Sequence, residues 1–161
     1  MTRFSSAPLA AGATMAAAVA LLSVGAITTS ADAGVTASCK ARLINHAVHY
    51  CGPATASLSV FPGVTFRHGT CRHQTLKSGP LLSVGVGVRT QNTKTNKGQA
   101  YFGLTISGKL SKPTGGGVIA YANGKRWGGR GVSFHGTARG GTFVVRGIGG
   151  SRGTATGRFH C

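Results

Sequence analysis

From residue 54 onward, apolar residues alternate with small or polar ones at a period of two, and that alternation leaves few folds open to this chain. Leu82, Val84, Val86 and Val88 alternate with Ser83, Gly85, Gly87 and Arg89. Phe102, Leu104 and Ile106 alternate with Tyr101, Gly103 and Thr105, and Phe143 and Val145 with Val144 and Arg146. Near the end, Ala155, Gly157 and Phe159 share one parity, and Thr154, Thr156, Arg158 and His160 share the other. Successive strand side chains point to opposite faces, so each run buries one face and wets the other. The same parity places Arg67, Arg89, Arg146 and Arg158 on the solvent side, the pattern of antiparallel sheets with one wet face.

Turn residues punctuate these runs. Asn123-Gly124 is the sharpest signal, because a type I′ hairpin turn needs φ > 0 at both central positions. It joins Val118-Ile119-Ala120-Tyr121 to a strand expected past a glycine patch, at Val132-Ser133-Phe134. Further turns are expected at Pro62-Gly63, across residues 91–98, at Pro113-Thr114-Gly115-Gly116-Gly117, and at Gly147-Ile148-Gly149-Gly150. Residues 39–50 read as an irregular strand or one to two helical turns. Gly136-Thr137-Ala138-Arg139-Gly140 echoes Gly153-Thr154-Ala155-Thr156-Gly157, which reads as two similar strands of a meander. The expected fold is all-β, an antiparallel β-sandwich or a partly open barrel with two disulfides.

Residues 1–33 read as a secretory signal peptide. Arg3 precedes an apolar run over residues 9–27, and Ala31-Asp32-Ala33 offers the small-x-small cleavage pattern. An uncleaved anchor is the competing reading, weakened by the many alanines and by Gly12 and Gly25. Residues 34–161 then form a single secreted, extracellular β-domain. Its cysteines, Cys39, Cys51, Cys71 and Cys161, are even in number, which in an exported chain favours two disulfides. Cys51 and Cys71 lie symmetrically about Phe61, so a bridge closing the 57–67 hairpin is favoured, leaving Cys39 for Cys161. Pairing Cys39 with Cys51 and Cys71 with Cys161 stays open.

The charge balance excludes more chemistry than any motif supplies. The chain has 18 Lys and Arg against one acidic residue, Asp32, which lies inside the signal. Glycosidases need two carboxylates, and aspartic dyads and Ser-His-Asp triads at least one. Calcium and magnesium sites also lean on carboxylate oxygens. Histidines His46, His49, His68, His73, His135 and His160 remain. His46-x-x-His49 and His68-x-x-Cys71-x-His73 have metal-ligand spacing, but an oxidising compartment consumes the thiol and the carboxylates that orient such ligands are missing. No metal and no small-molecule cofactor is therefore expected. Two histidines with a cation suffice for cleaving an RNA-type phosphodiester, so a secreted ribonuclease is one alternative function.

Anion binding fits the composition better. A chain this basic attracts anionic polymers, nucleic acid without sequence preference, or an anionic envelope surface. The best local candidate is the flank of the Asn-Gly turn, Lys125, Arg126 and Trp127 with Arg130, where the only tryptophan sits beside cations. Trp127, with Tyr101 and Tyr121, reads either as a stacking platform or as an aromatic packed under the hairpin. Gly129-Arg130-Gly131 and Arg139-Gly140-Gly141 resemble fragments of RGG boxes, which single matches in a Gly-rich chain reduce to turn signals. A cationic membrane-active protein is the second alternative, though no amphipathic helix is visible.

Cys51-Gly52-Pro53-Ala54-Thr55-Ala56, Gly69-Thr70-Cys71, Tyr101-Phe102-Gly103-Leu104 and Phe159-His160-Cys161 resemble stretches of a loose group of small exported β-proteins from high-GC Gram-positive bacteria. The similarity spans most of residues 51–161. It implies a secreted β-sandwich-like domain and carries over no catalytic or binding residue. The group is not strongly basic, so the charge here is particular to this chain.

Overall fold

A computed structural model describes residues 41–90 and 99–161. The strands are β1 (Arg42–Ile44), β2 (Ala47–His49), β3 (Ala54–Leu58), β4 (Thr65–Leu76), β5 (Gly79–Thr90), β6 (Tyr101–Lys109), β7 (Lys112–Ala122), β8 (Lys125–Thr137), β9 (Gly140–Gly147) and β10 (Thr154–His160). Strands β3 to β10 each pair antiparallel with the next in sequence, and β10 returns to pair with β3. The result is a closed eight-stranded up-and-down barrel rather than the expected sandwich or partly open barrel. Outside it, β1 and β2 form a hairpin around Asn45 and His46, both at positive φ, and β2 pairs with the end of β5. The ambiguous segment before residue 50 is thus a hairpin over its described part.

The parity read from the sequence sorts inside from outside. Leu82, Val84, Val86, Phe102, Leu104, Ile106, Phe143, Val145, Ala155 and Phe159 are buried in one interior core. Eight strands enclose a space just wide enough for side chains to fill. Here Phe66, Phe102 and Phe143 pack in series, with ring centroids 5.7 and 5.9 Å apart, and Phe134 stacks on Phe159. Small residues on the neighbouring strands make room for several of these rings: Ala56 lies opposite both Phe66 and Phe159. Gly157, for example, lies directly under the Phe143 ring, where a Cβ has no room. Polar residues, including Arg67, Arg89, Arg146 and Arg158, face out.

Several boundaries differ from expectation. Asn123 and Gly124 have φ of 53° and 72°, the type I′ turn, but β8 begins at once at Lys125 and carries the glycine patch within it. Gly131, at φ 71°, sits in a bulge between Arg130 and Ser133. Pro113 to Gly117 lie inside β7, and the turn falls two residues earlier, since Lys109 already pairs with Lys112. Gly136 to Gly140 round the β8–β9 turn whereas Gly153 to Gly157 enter β10, so the two echoing segments are not equivalent. The signal segment, Cys39 and the turn cluster over residues 91–98 lie outside the described residues.

The favoured disulfide is overturned. Cys71 is bonded to Cys161, with Cα atoms 5.8 Å apart. The topology explains why. Strand β3 separates β4 from β10, but its pairing with β4 ends at Ala54 opposite Gly69. Two residues further on, the Cα separation of Cys71 and Cys161 is well short of the roughly 10 Å that an intervening strand would impose, so the two are direct neighbours. The bridge closes the gap left where β3 runs out, and Cys161 N–H donates to the Arg139 carbonyl beside it.

Candidate anion-binding face

Strand parity decides which of the candidate residues reach solvent. Ala120 pairs with Trp127 and Tyr121 with Arg126. Ala120 is fully buried and Trp127 is only 7 % exposed, so the indole belongs to the barrel core and leaves the anion-binding set. Its N–H finds no partner there. Packing under the hairpin wins over the stacking platform. Tyr101 and Tyr121 lie on the opposite side of the wall from Trp127, facing out but covered. Their rings are 5.5 Å apart, and Tyr50 stacks on Tyr101 at 5.7 Å. The Tyr121 hydroxyl donates to the Val88 carbonyl and accepts from the Thr90 N–H. Burial, and then the neighbouring Tyr50, pushes the Tyr101 phenol well above its ordinary range; burial also raises Tyr121, against the Thr90 N–H and Arg89.

Lys125, Arg126 and Arg130 are exposed. Arg126 lies opposite Tyr121 at one end of the barrel, and both it and Arg89 act on that phenol. Arg130 is further along, in a circumferential row the sequence did not reveal. Through successive pairings, Arg72 lies opposite Ser83, Ser83 opposite Thr105, Thr105 opposite Gly117, Gly117 opposite Arg130, and Arg130 opposite Arg146. All six share the outward face. Like charges directly opposite on a sheet repel, and no described residue is an Asp or Glu that might separate Arg130 from Arg146.

Above this row runs a groove of about 1200 Å³ across the outside of β4 to β8. Gly85, Gly103 and Gly128 form its floor with Ile119, one residue from each of four adjacent strands. Tyr50 covers Gly85 and the Tyr101 hydroxyl covers Gly103, so neither glycine has room for a Cβ. Gly128, by contrast, is open. A second groove of about 900 Å³ crosses the outside of β8, β9, β10 and β3. Each groove is lined by one histidine, His73 in the first and His135 in the second, so neither assembles a histidine pair.

No family model, curated protein or solved structure matches this chain. Among the described residues no cluster of three metal-ligating side chains occurs, and Cys71 of the His68-x-x-Cys71-x-His73 spacing is consumed by its disulfide. No described helix is long and apolar enough to cross a membrane. The wall is also the inverse of a membrane-spanning barrel, which is apolar outside and polar within.

Proposed function

We propose that this protein is an exported, non-enzymatic β-barrel that binds anionic polymers through its outer face and is retained at anionic envelope surfaces. The observation that carries the reading is the outward row ending in Arg130 and Arg146, neighbours on paired strands with no carboxylate between them. A bound polyanion relieves their repulsion and releases its own counterions, the usual source of affinity for such partners. The apolar interior supports a binding role for the outside, since side chains fill the space a lipocalin-like barrel keeps for its ligand. Nucleic acid is bound without sequence preference in this reading, because the cations are spread over the surface rather than aimed at base edges.

The domain carries a second disulfide in this proposal. Cys51 is itself disulfide-bonded, and the cysteine that Cys71 and Cys161 leave for it is Cys39. A non-reducing peptide map is expected to return Cys39–Cys51 beside Cys71–Cys161. For function, retention on immobilised heparin and on DNA is measured across a salt series. Strong retention near ~50 mM salt, falling steeply by ~200 mM, is the expected result. Passage through both columns at the lower salt would end the proposal.

A further inference from the structure

We infer that the groove across β4 to β8 is the seat of the bound polymer, and that it takes an anionic polysaccharide lying across the strands. This deepens the polyanion reading and rests on it. The row beneath the groove has arginine at both ends and hydroxyls between: Arg72, then Ser83 and Thr105, then Gly117 and Arg130. Four strand spacings separate Arg72 from Arg130, about 19 Å along the wall at ~4.8 Å each. A linear chain with anions at intervals and neutral units between them matches that order of groups.

Two features of the lining point to sugar units rather than bases. Binding single-stranded nucleic acid draws on exposed aromatic faces, and here Trp127 faces inward while Tyr101 and Tyr121 are 7 % and 6 % exposed. Among the described aromatics lining the groove, Tyr50 is the one that is only half-buried. Conversely, Ser83 and Thr105 offer hydroxyls for polyol contacts, and Ile119, 46 % exposed, offers apolar surface for ring C–H groups. A floor without side chains at Gly117 and Gly128 lets such rings approach the backbone closely.

Gly128 allows a test that leaves charge untouched. A Cβ there meets only the Val118 carbonyl oxygen at 3.8 Å, so Gly128→Gln places a neutral side chain on the groove floor without straining the wall. The whole secreted chain is titrated with a hyaluronan oligosaccharide, which has one carboxylate on every second sugar, and with oligothymidylate of equal charge, at ~50 mM salt. Gly128→Gln is expected to weaken the oligosaccharide about tenfold and oligothymidylate by less than about threefold. Arg72→Ala with Arg130→Ala is expected to weaken the oligosaccharide and to lower its salt slope by about two. Arg67→Ala with Arg158→Ala removes equal charge away from the groove and is expected to cost less. Equal losses from the two arginine pairs, with no effect of Gly128→Gln, overturn the groove while the polyanion reading stands. Oligothymidylate binding that is as tight and as sensitive to Gly128→Gln overturns the preference for sugar. Wild-type chain binding neither probe removes the polyanion reading itself.

Discussion

Glycine at position 157 and glycine at position 128 look alike in the sequence, yet one lies inside the barrel wall and the other outside. A methyl at Gly157 enters the space of the Phe143 ring, and overpacking of this kind costs about 1–3 kcal/mol. Gly128→Ala has room, and replacing a strand glycine relieves backbone entropy worth about 0.5–1 kcal/mol. Urea unfolding is expected to show Gly157→Ala destabilised and Gly128→Ala unchanged or slightly stabilised. The buried tyrosines make a second measurable case. Burial favours the protonated phenol, so the folded chain holds those protons above the ordinary pKa of 10.0. Stability from this source is complete below that pH and is lost as pH climbs past it. Absorbance at 295 nm near pH 11 is expected to report fewer ionised tyrosines in the folded chain than in urea.

The hairpins show how far local signals reach. Alternation marked the inward set of β5, β6, β9 and β10, and Asn123-Gly124 marked its turn, because both depend on residues a few positions apart. Glycine clusters misled, since Pro113 to Gly117 and Gly128 to Gly131 lie within strands rather than turns; a glycine-rich strand and a loop share a composition. Closure was invisible for a different reason. It depends on β10 meeting β3, as where Thr156 N–H donates to Ser59 Oγ across 97 positions, and no local pattern encodes that pairing. Trp127 was legible only as two alternatives until its register with Ala120 fixed the side it faces. The cysteines likewise gave a count but not a pairing. Cys71–Cys161 spans 90 residues, and a loop of that size corresponds to about 4–5 kcal/mol in the chain-entropy account. Replacing both cysteines with serine is expected to lower unfolding stability on that order, with denaturant titration as the check.

Over the described residues an apolar filling lies inside a cationic skin, and the chain has no Asp or Glu beyond residue 32. Acid unfolding usually follows from protonating carboxylates that the folded state had paired, and this domain has no such side chains. Its stability is expected to stay level between about pH 4.5 and 2.5, where most proteins weaken, as thermal midpoints across that range will test. Salt moves it instead: polyvalent anions such as sulfate screen the mutual repulsion of the arginines and raise the midpoint. The seam between β3 and β10 has a consequence in time as well as in space. A chain emerging amino-terminus first holds seven of the barrel's strands before it holds the eighth. Until β10 and residue 161 are free, β3 has one unpaired edge and Cys71 no partner, so the barrel can form only after nearly every residue of this sequence has emerged.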